Sequence, residues 1–336
     1  MKRRLIFGLL LIGACAESFL PPSAVVDLRQ IGALVEIDGK PGRANPDPGD
    51  MVQVSNLVID RGFPPTVPPE PPPLSPPPLQ WRLVACIPAP SVLETPICQN
   101  VIPCEGCEEV PPDDPLAFPI ARFQIPSAEE LDAAEATSVV LQGAICAEGE
   151  PAELDAIIRL VRGDIDVLEP CKDPDDEGRF ISVEIPIEDQ PENPNLNPAI
   201  ADVTLNGNPW PPPFDQEVPR DQSNTDCADL VEDRSVLPRA DGSISIIQLE
   251  ATSESFQQYL VDDVFITEEI QVSWLADGGA FESSFSFISD PARSAIIQWA
   301  PPNFPNDMGR VVRLNFVIRD GRGGIDRVER GLCVIP

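Results

Sequence analysis

Proline is the residue that most restricts how this chain can fold. The sequence contains 42 prolines among its 336 residues. Proline lacks a backbone N–H and interrupts helices, so at this density it is confined to loops, turns and strand edges. The composition therefore excludes an all-α fold and favours an all-β one, and a chain of this length favours two domains.

The N-terminus has the pattern of a bacterial export signal. Three basic residues precede an apolar run at 5–12, which is far shorter than the roughly 20 residues of a membrane-spanning helix. The run ends in Ile12-Gly13-Ala14-Cys15, which resembles the lipobox of bacterial lipoproteins. The resemblance implies a lipid on Cys15, and an alanine rather than an aspartate after it implies sorting to the outer membrane. Ordinary cleavage after Ala16 is the alternative, because Ala14 and Ala16 also satisfy the small-residue rule.

The cysteine count supports an oxidising compartment. Nine cysteines are present, and a lipid-attached Cys15 leaves an even number that can form four disulfides. The spacing leaves the pairing open among Cys86, Cys98, Cys104, Cys107, Cys146, Cys171, Cys227 and Cys333. The pair at 104 and 107 has the CxxC spacing of redox and zinc sites but not the strand-helix context of a thioredoxin site, so we expect a structural disulfide, with four-cysteine zinc as the alternative.

Acidic residues strongly outnumber basic ones. The formal charge is −32, and removal of Lys2, Arg3 and Arg4 with the signal peptide makes it −35. Phosphate backbones require a basic surface, so nucleic acid is excluded as a partner. Anionic lipid headgroups are unfavourable for the same reason, which leaves the N-terminal lipid as the membrane contact and envelope proteins or polysaccharide as partners.

Histidine is absent from the chain. Its absence removes histidine-dependent nucleophilic catalysis and histidine zinc sites, so any catalysis would rest on carboxylates, lysine or cysteine. We therefore assign no catalytic residue and expect a protein that is not an enzyme. A carboxylate-based hydrolase of envelope polysaccharide is the competing hypothesis.

One acidic segment matches the spacing of a calcium loop. Oxygen ligands stand at its first, third, fifth and twelfth positions, with glycine at the sixth: Asp173, Asp175, Glu177, Glu184 and Gly178. A proline follows the first aspartate and the flanking residues are typical of strands rather than helices. Calcium binding is therefore kept as an alternative, and no cofactor is expected.

The hydrophobic pattern divides the chain into segments. In chain order we expect a signal peptide (1–14), a tether (15–23), a first domain (24–188) with a polyproline loop (64–78), a linker (189–198) and a second domain (199–336). The first domain should place Trp81 in its core. It should also contain a helix after the capping box at Ser127 and a second, amphipathic helix after Pro151.

Alternation predicts the strands of the second domain. They cover residues 243–250, 270–275, 281–288, 294–299 and 311–318, and the glycine-rich segment 320–324 is typical of a hairpin turn. Trp210 lies in a proline-rich segment, where it is either an exposed contact for sugar or partner, or a residue packed within its loop.

Three of these segments carry a family resemblance. They are 272–281 (VSWLADGGAF), 298–302 (QWAPP) and 316–324 (FVIRDGRGG). Together they resemble the PKD- and cadherin-like modules of the bacterial immunoglobulin-like repertoire, and the chain is similar to myxobacterial-type envelope lipoproteins with such domains. The resemblance implies two Ig-like antiparallel β-sandwiches and an envelope location, without implying an activity. We therefore expect a lipid-anchored structural or adhesion-like binding module, or alternatively a hydrolase or a calcium-stiffened surface module.

Overall fold

The computed structural model describes residues 23–25, 27–59, 79–89, 96–109, 119–147, 149–188, 192–210, 239–240, 243–261, 264–302 and 310–334. The signal peptide, Cys15, the polyproline loop 64–78 and Cys227 lie outside these residues. Strands dominate the described part and pair mainly antiparallel, which confirms the expected all-β sandwich fold. The described residues form two α-helices, six and eight residues long, and a short 3-10 helix at Ser253–Ser255, and none of them could span a bilayer.

The N-terminal half contains nine strands in two facing sheets. The strands are β1 (Arg29–Ile37), β2 (Met51–Ile59), β3 (Gln80–Pro88), β4 (Cys98–Ile102), β5 (Cys104–Glu105), β6 (Glu108–Glu109), β7 (Ile120–Gln124), β8 (Ser138–Cys146) and β9 (Gly178–Pro186). One sheet has the order β1-β2-β7-β5 and the other β4-β3-β8-β9, with β6 on β3. Alternate residues of both sheets, among them Val54 and Leu141, form one core. Trp81 lies in this core, as predicted, and its Nε1–H donates to the carbonyl of Gly106 at 2.9 Å.

Both predicted helices are present in this half. Helix α1 (Ala128–Ala133) starts at the capping box, in which Ser127 and Glu130 bond each other's backbone N–H. It ends at Ala133, and Glu135, two residues further on, takes a left-handed backbone conformation, with φ at 54°. Helix α2 (Leu154–Val161) buries Ile157 completely against the outer side of β3 and β8.

The C-terminal half contains twelve strands. They are β10 (Ile200–Leu205), β11 (Asn208–Pro209), β12 (Arg239–Ala240), β13 (Ser245–Ala251), β14 (Gln258–Val261), β15 (Val264–Thr267), β16 (Ile270–Ala276), β17 (Ala280–Phe281), β18 (Phe285–Ile288), β19 (Ala295–Ala300), β20 (Arg310–Arg319) and β21 (Ile325–Val334). The sheets β11-β10-β13-β19-β17 and β12-β21-β20-β16-β18 enclose a second core around Trp274, Trp299 and Phe316. Strands β14 and β15 pair with each other outside both sheets.

One expectation for this half was wrong, and one of the two alternatives for Trp210 is excluded. The single strand expected at 281–288 is two strands, because β17 pairs with β19 in one sheet and β18 pairs with β16 in the other. Trp210 is not an exposed contact residue. It is 2% exposed, its Nε1–H donates to the carbonyl of Gly331 at 3.2 Å, and its ring meets Phe316 edge-on.

Seven of the eight expected disulfide cysteines are described, and all seven are bonded. The pairs are Cys86–Cys98, Cys104–Cys107 and Cys146–Cys171, with Cα–Cα distances of 5.6, 5.7 and 6.0 Å. Cys333 is also disulfide-bonded, and its partner lies outside the described residues. Cys104 and Cys107 are thus bonded to each other, which is one of the pairings that the spacing left open.

The two halves meet along a third apolar cluster, which we call the joint. It combines side chains of both halves: Val25, Ile31, Ile59, Leu275, Val317 and Ile325. Residues 23–25 extend the sheet edge at the end of β16, since Val25 N donates to Ala276 O at 2.8 Å and Ala276 N donates to Ser23 O at 3.0 Å. The described part of the expected linker packs against both halves, and Asn195 within it is fully buried.

Candidate functional site

The carboxylates of the alternative calcium loop do not form a common ligand group among the described residues. Asp173 accepts from the backbone N–H of Asp175 at 3.0 Å, and Glu177 accepts from the backbone N–H of Leu28. Glu184 lies on β9, where it accepts from the Ser138 hydroxyl at 2.7 Å. No group of three or more Asp, Glu, Cys or His side chains that could hold a metal ion occurs among the described residues. The spacing of this segment therefore does not form a calcium site.

One groove beside the joint is open and about 630 Å³ in volume. Three carboxylates line it, and each has a partner. Glu36 accepts from Gln53, Asp38 pairs with Arg122, and Asp326 accepts from the backbone N–H of Ile200. Each of these carboxylates therefore bonds a group on a neighbouring strand, which is a structural role.

Strands β14 and β15 pair with each other and form the apolar hairpin (258–261 and 264–267). Its register pairs Tyr259 with Ile266, Leu260 with Phe265, and Val261 with Val264. Directly opposed residues of an antiparallel pair point to the same face of the sheet. Both faces of the hairpin are therefore apolar.

These side chains are exposed to an unusual degree. Phe265 is 71% exposed and Val264 60%, while Leu260, Val261 and Ile266 are each 39–40% exposed. Strands that are apolar on both faces are typical of elements covered on both sides, and an isolated two-stranded hairpin is only marginally stable in water. Contiguous exposed apolar surface of this kind is typical of interaction sites.

A buried carboxylate closes the base of the hairpin. Glu268 follows β15 directly, and its side chain is 1% exposed. Its backbone N–H donates to Gln257 O at 2.9 Å, and its Oε2 accepts from Gln257 N at 3.2 Å. The Oε1 atom accepts from Nη1 of Arg322 at 3.1 Å. The two ends of the hairpin are thereby held together and attached to the sandwich.

Arg322 belongs to the glycine-rich turn 320–324 that joins β20 to β21. Asp320 shapes this turn by accepting from the backbone N–H groups of Arg322 at 2.7 Å and Gly324 at 2.9 Å. The Arg322 guanidinium also lies 4.7 Å from the ring centroid of Tyr259, in the position of a cation–π contact. The turn therefore holds the hairpin through both an ion pair and an aromatic contact.

Burial shifts the pKa values of two neighbouring carboxyls, those of Glu268 and Asp320. Burial, together with the nearby charge of Asp320, raises the pKa of Glu268 to about 6. Burial likewise raises the pKa of Asp320, against the opposing effect of its hydrogen bonds. The Arg322 guanidinium pairs with Glu268, whereas Asp320 bonds the backbone N–H of Arg322.

The segment between the halves fixes the outer edge of β14. Gln257 accepts from Leu196 N at 2.8 Å and donates to Pro194 O at 3.3 Å. Asn193 donates from its amide to the carbonyl of Gln258. One edge of the hairpin base is therefore bonded to the segment between the halves.

Sequence reasoning missed the hairpin, although one signal was present. Two short apolar runs, 259–261 and 264–266, flank Asp262 and Asp263 symmetrically, which is the length pattern of a hairpin with a two-residue loop. Comparisons with protein family models and with curated protein sequences found no match.

Proposed function

We propose that this protein is a lipid-anchored, non-catalytic binding module of the bacterial outer membrane, on its periplasmic face or at the cell surface, and that the apolar hairpin is its contact element. The exposure of apolar side chains on both faces of the hairpin carries this proposal. The export signal, the lipobox pattern and the disulfides support the envelope location.

The last residue of the tether, Ser23, bonds the end of β16 that lies away from the hairpin base. Residues 23–25 bond to Ala276 at the end of β16, whereas the hairpin base at Glu268 lies just before the start of β16 at Ile270. Seven strand residues separate these points, which corresponds to about 20 Å. Residues 16–22 can span at most about 25 Å. A lipid on Cys15 would therefore keep that end of β16 within about 25 Å of the bilayer.

The anchor is tested by the intact mass of the mature protein from its native membrane, before and after reduction and alkylation. We expect an acylated N-terminus at Cys15 and eight cysteines that react only after reduction. The matched variant Cys15→Ala should leave the membrane fraction. A mature chain that begins at Glu17 would contradict the anchor.

The contact element is tested by photo-cross-linking in living cells. A photoreactive residue at position 265 should give a discrete cross-linked product of one size. The control position is 296, because Ile296 is similarly exposed, at 60%, but lies on β19. Equal products from both positions, or none from position 265, would contradict the role of the hairpin.

A further inference from the structure

We infer that an exposed aromatic pair on β18, Phe285 and Phe287, rests on the lipid bilayer that carries the protein's own anchor. The two rings would lie in the interfacial layer of that bilayer and determine which side of the C-terminal half faces the membrane. This inference rests on the proposed function, in that it takes the lipid on Cys15 as the anchor, and it adds a second, apolar contact with the same membrane.

The two aromatic residues form one exposed surface. Phe285 and Phe287 stand two positions apart on β18, so both side chains lie on the same face of the sheet. They are 50% and 53% exposed, and their rings meet edge-on with centroids 5.7 Å apart. Their partners on β16 are Ser273 and Gln271. The edge of this sheet thus presents an aromatic surface whose direct cross-strand neighbours are uncharged.

The end of the tether lies on the same edge of β16 as the aromatic pair. The backbone N–H of Trp274 donates to Ser284 O, just before β18, and the N–H of Ala276 donates to Ser23 O, each at 3.0 Å. Backbone groups two residues apart in a strand point to the same side. The tether and β18 therefore follow one another along one edge of β16, while β20 occupies the other edge.

The distances along β16 are short enough for both rings to reach the bilayer. Phe285 lies opposite Ser273, which is about 10 Å along the strand from Ala276. Phe287 lies two residues further, about 17 Å from Ala276. Residues 16–22 span at most about 25 Å. The reach of the tether from its end at the sheet therefore exceeds the distance to either ring.

The backbone of Phe285 is bonded on its outer side. Because Trp274 bonds Ser284, the N–H and C=O of Phe285 point away from β16. The Ser283 hydroxyl donates to Phe285 O at 2.9 Å and accepts from Phe285 N at 3.4 Å. Such outward groups are otherwise available to an added strand, and they are costly beside lipid when they have no partner. The bonds of Ser283 therefore disfavour a protein strand here and favour an apolar neighbour.

The charge around the pair selects the kind of lipid. Glu282 precedes β18 and Asp290 follows it, and both are exposed. The whole chain has a formal charge of −32, so anionic headgroups and a second copy of the chain are both repelled. Burial of apolar side-chain area in the interfacial layer does not depend on headgroup charge. The expected partner is therefore a bilayer surface of zwitterionic lipid.

The contact is tested with a fluorescent amino acid at position 287 of the full mature protein with intact disulfides. A hexahistidine segment in place of Cys15 attaches the protein to phosphatidylcholine vesicles that contain a nickel-chelating lipid, since the chain has no histidine of its own. A second vesicle lipid carries a spin label near the top of its acyl chain and quenches fluorophores in the interfacial layer.

We expect quenching at position 287 to be at least about threefold stronger than at position 296. Position 296 is the matched control, because Ile296 is 60% exposed but lies on β19 in the opposite sheet. Equal quenching at the two positions, or none at position 287, would overturn the inference.

Two variants and one change of lipid identify the interaction. Phe285→Ser should reduce quenching at position 287 at least about twofold, because one of the two rings is lost. The control Ile246→Ser, at an exposed position of β13, should leave the quenching unchanged. Phosphatidylglycerol in place of part of the phosphatidylcholine should reduce it. No effect of Phe285→Ser, or stronger quenching with phosphatidylglycerol, would overturn the inference.

Two further measurements separate the other occupants. Sedimentation of the protein without its anchor should give a monomer, and a photoreactive residue at position 287 in cells should cross-link to lipid. A dimer that Phe285→Ser abolishes, or a discrete protein product from position 287, would assign the pair to that occupant instead.

Failure of the inference is distinguishable from failure of the proposed function. If Cys15 is acylated and position 265 cross-links a protein while position 287 is not quenched, the proposed function stands and the inferred bilayer contact is wrong. If the mature chain begins at Glu17, the anchor is wrong whatever the vesicles show.

Discussion

Glu268 and Arg322 form a buried ion pair, 3.1 Å between Oε1 and Nη1, that joins the base of the apolar hairpin to the turn between β20 and β21. The side chains are 1% and 12% exposed, respectively. A buried pair of this kind holds its elements in place because removal of one partner leaves the other charge desolvated and unpaired.

The first prediction concerns this pair. Arg322→Ala should lower the free energy of unfolding by about 3 kcal/mol, because it leaves the Glu268 carboxylate buried without its cation. The matched control is Arg122→Ala, which removes the exposed pair with Asp38 and should cost less than about 1 kcal/mol. Urea unfolding of the oxidised proteins measures both. Similar losses in the two variants would contradict the role of the buried pair.

A second prediction follows from the raised pKa of Glu268. The folded protein binds a proton at this carboxyl more tightly than the unfolded chain, since the pKa is about 6 in the fold and 4.5 ordinarily. The corresponding stability is fully present below pH 4.5 and is lost as the pH rises through 6. The difference between these pKa values corresponds to about 2 kcal/mol.

The variant Glu268→Gln isolates this contribution. The free energy of unfolding of the wild type should fall relative to that of the variant by about 2 kcal/mol between pH 4.5 and pH 7. Asp320 also has a raised pKa and is present in both proteins. Parallel pH profiles for the two proteins would show that Glu268 does not titrate in this range.

The third prediction compares two disulfides that close loops of different length. Cys146–Cys171 spans 25 residues and Cys104–Cys107 spans 3. In the chain-entropy model these loops correspond to about 3.5 and about 1.5 kcal/mol. The double variant Cys146→Ala/Cys171→Ala should therefore lose more stability than Cys104→Ala/Cys107→Ala. Thermal unfolding under non-reducing conditions measures both, and the reverse order would contradict the entropic account.

Local signals in the sequence were sufficient to predict several elements of the fold. The reciprocal bonds of Ser127 and Glu130 need only neighbouring residues, and the apolar stripe of α2 repeats with the helical period. Trp81 alternates with other apolar residues along one strand. Each of these predictions holds because the residues that determine the element are close together in the chain.

The hairpin and its base depend on contacts that are distant in the chain. Alternation between polar and apolar residues, the signal used for strands, is absent from a hairpin that is apolar on both faces. The Glu268 carboxylate meets Arg322 across 54 positions of sequence. The glycine-rich turn was recognised as a turn, but its second role, holding the hairpin, follows only from the packing of β14 and β15 beside it.

The last prediction concerns Asn197, which bonds both halves of the molecule at the joint. Its amide Nδ2 donates to the carbonyls of Val35 and Arg43, each at 3.3 Å, and its Oδ1 accepts from the backbone N–H of Ile325 at 3.1 Å. The Val35 carbonyl lies on the edge strand β1, and Ile325 begins β21. One side chain thus satisfies backbone groups of the two sandwiches at once.

Asn197→Ala should lower the free energy of unfolding by about 2 kcal/mol, because three backbone groups lose their partner at a partly buried site. Amide hydrogen exchange should accelerate selectively at Ile325, whose N–H loses its acceptor. The control Asn208→Ala removes an exposed amide that donates only to Asn206 O within its own turn, and it should change neither quantity measurably. Unaltered exchange at Ile325 in Asn197→Ala would mean that the apolar contacts of Val25, Ile31 and Leu275 hold the joint without this side chain.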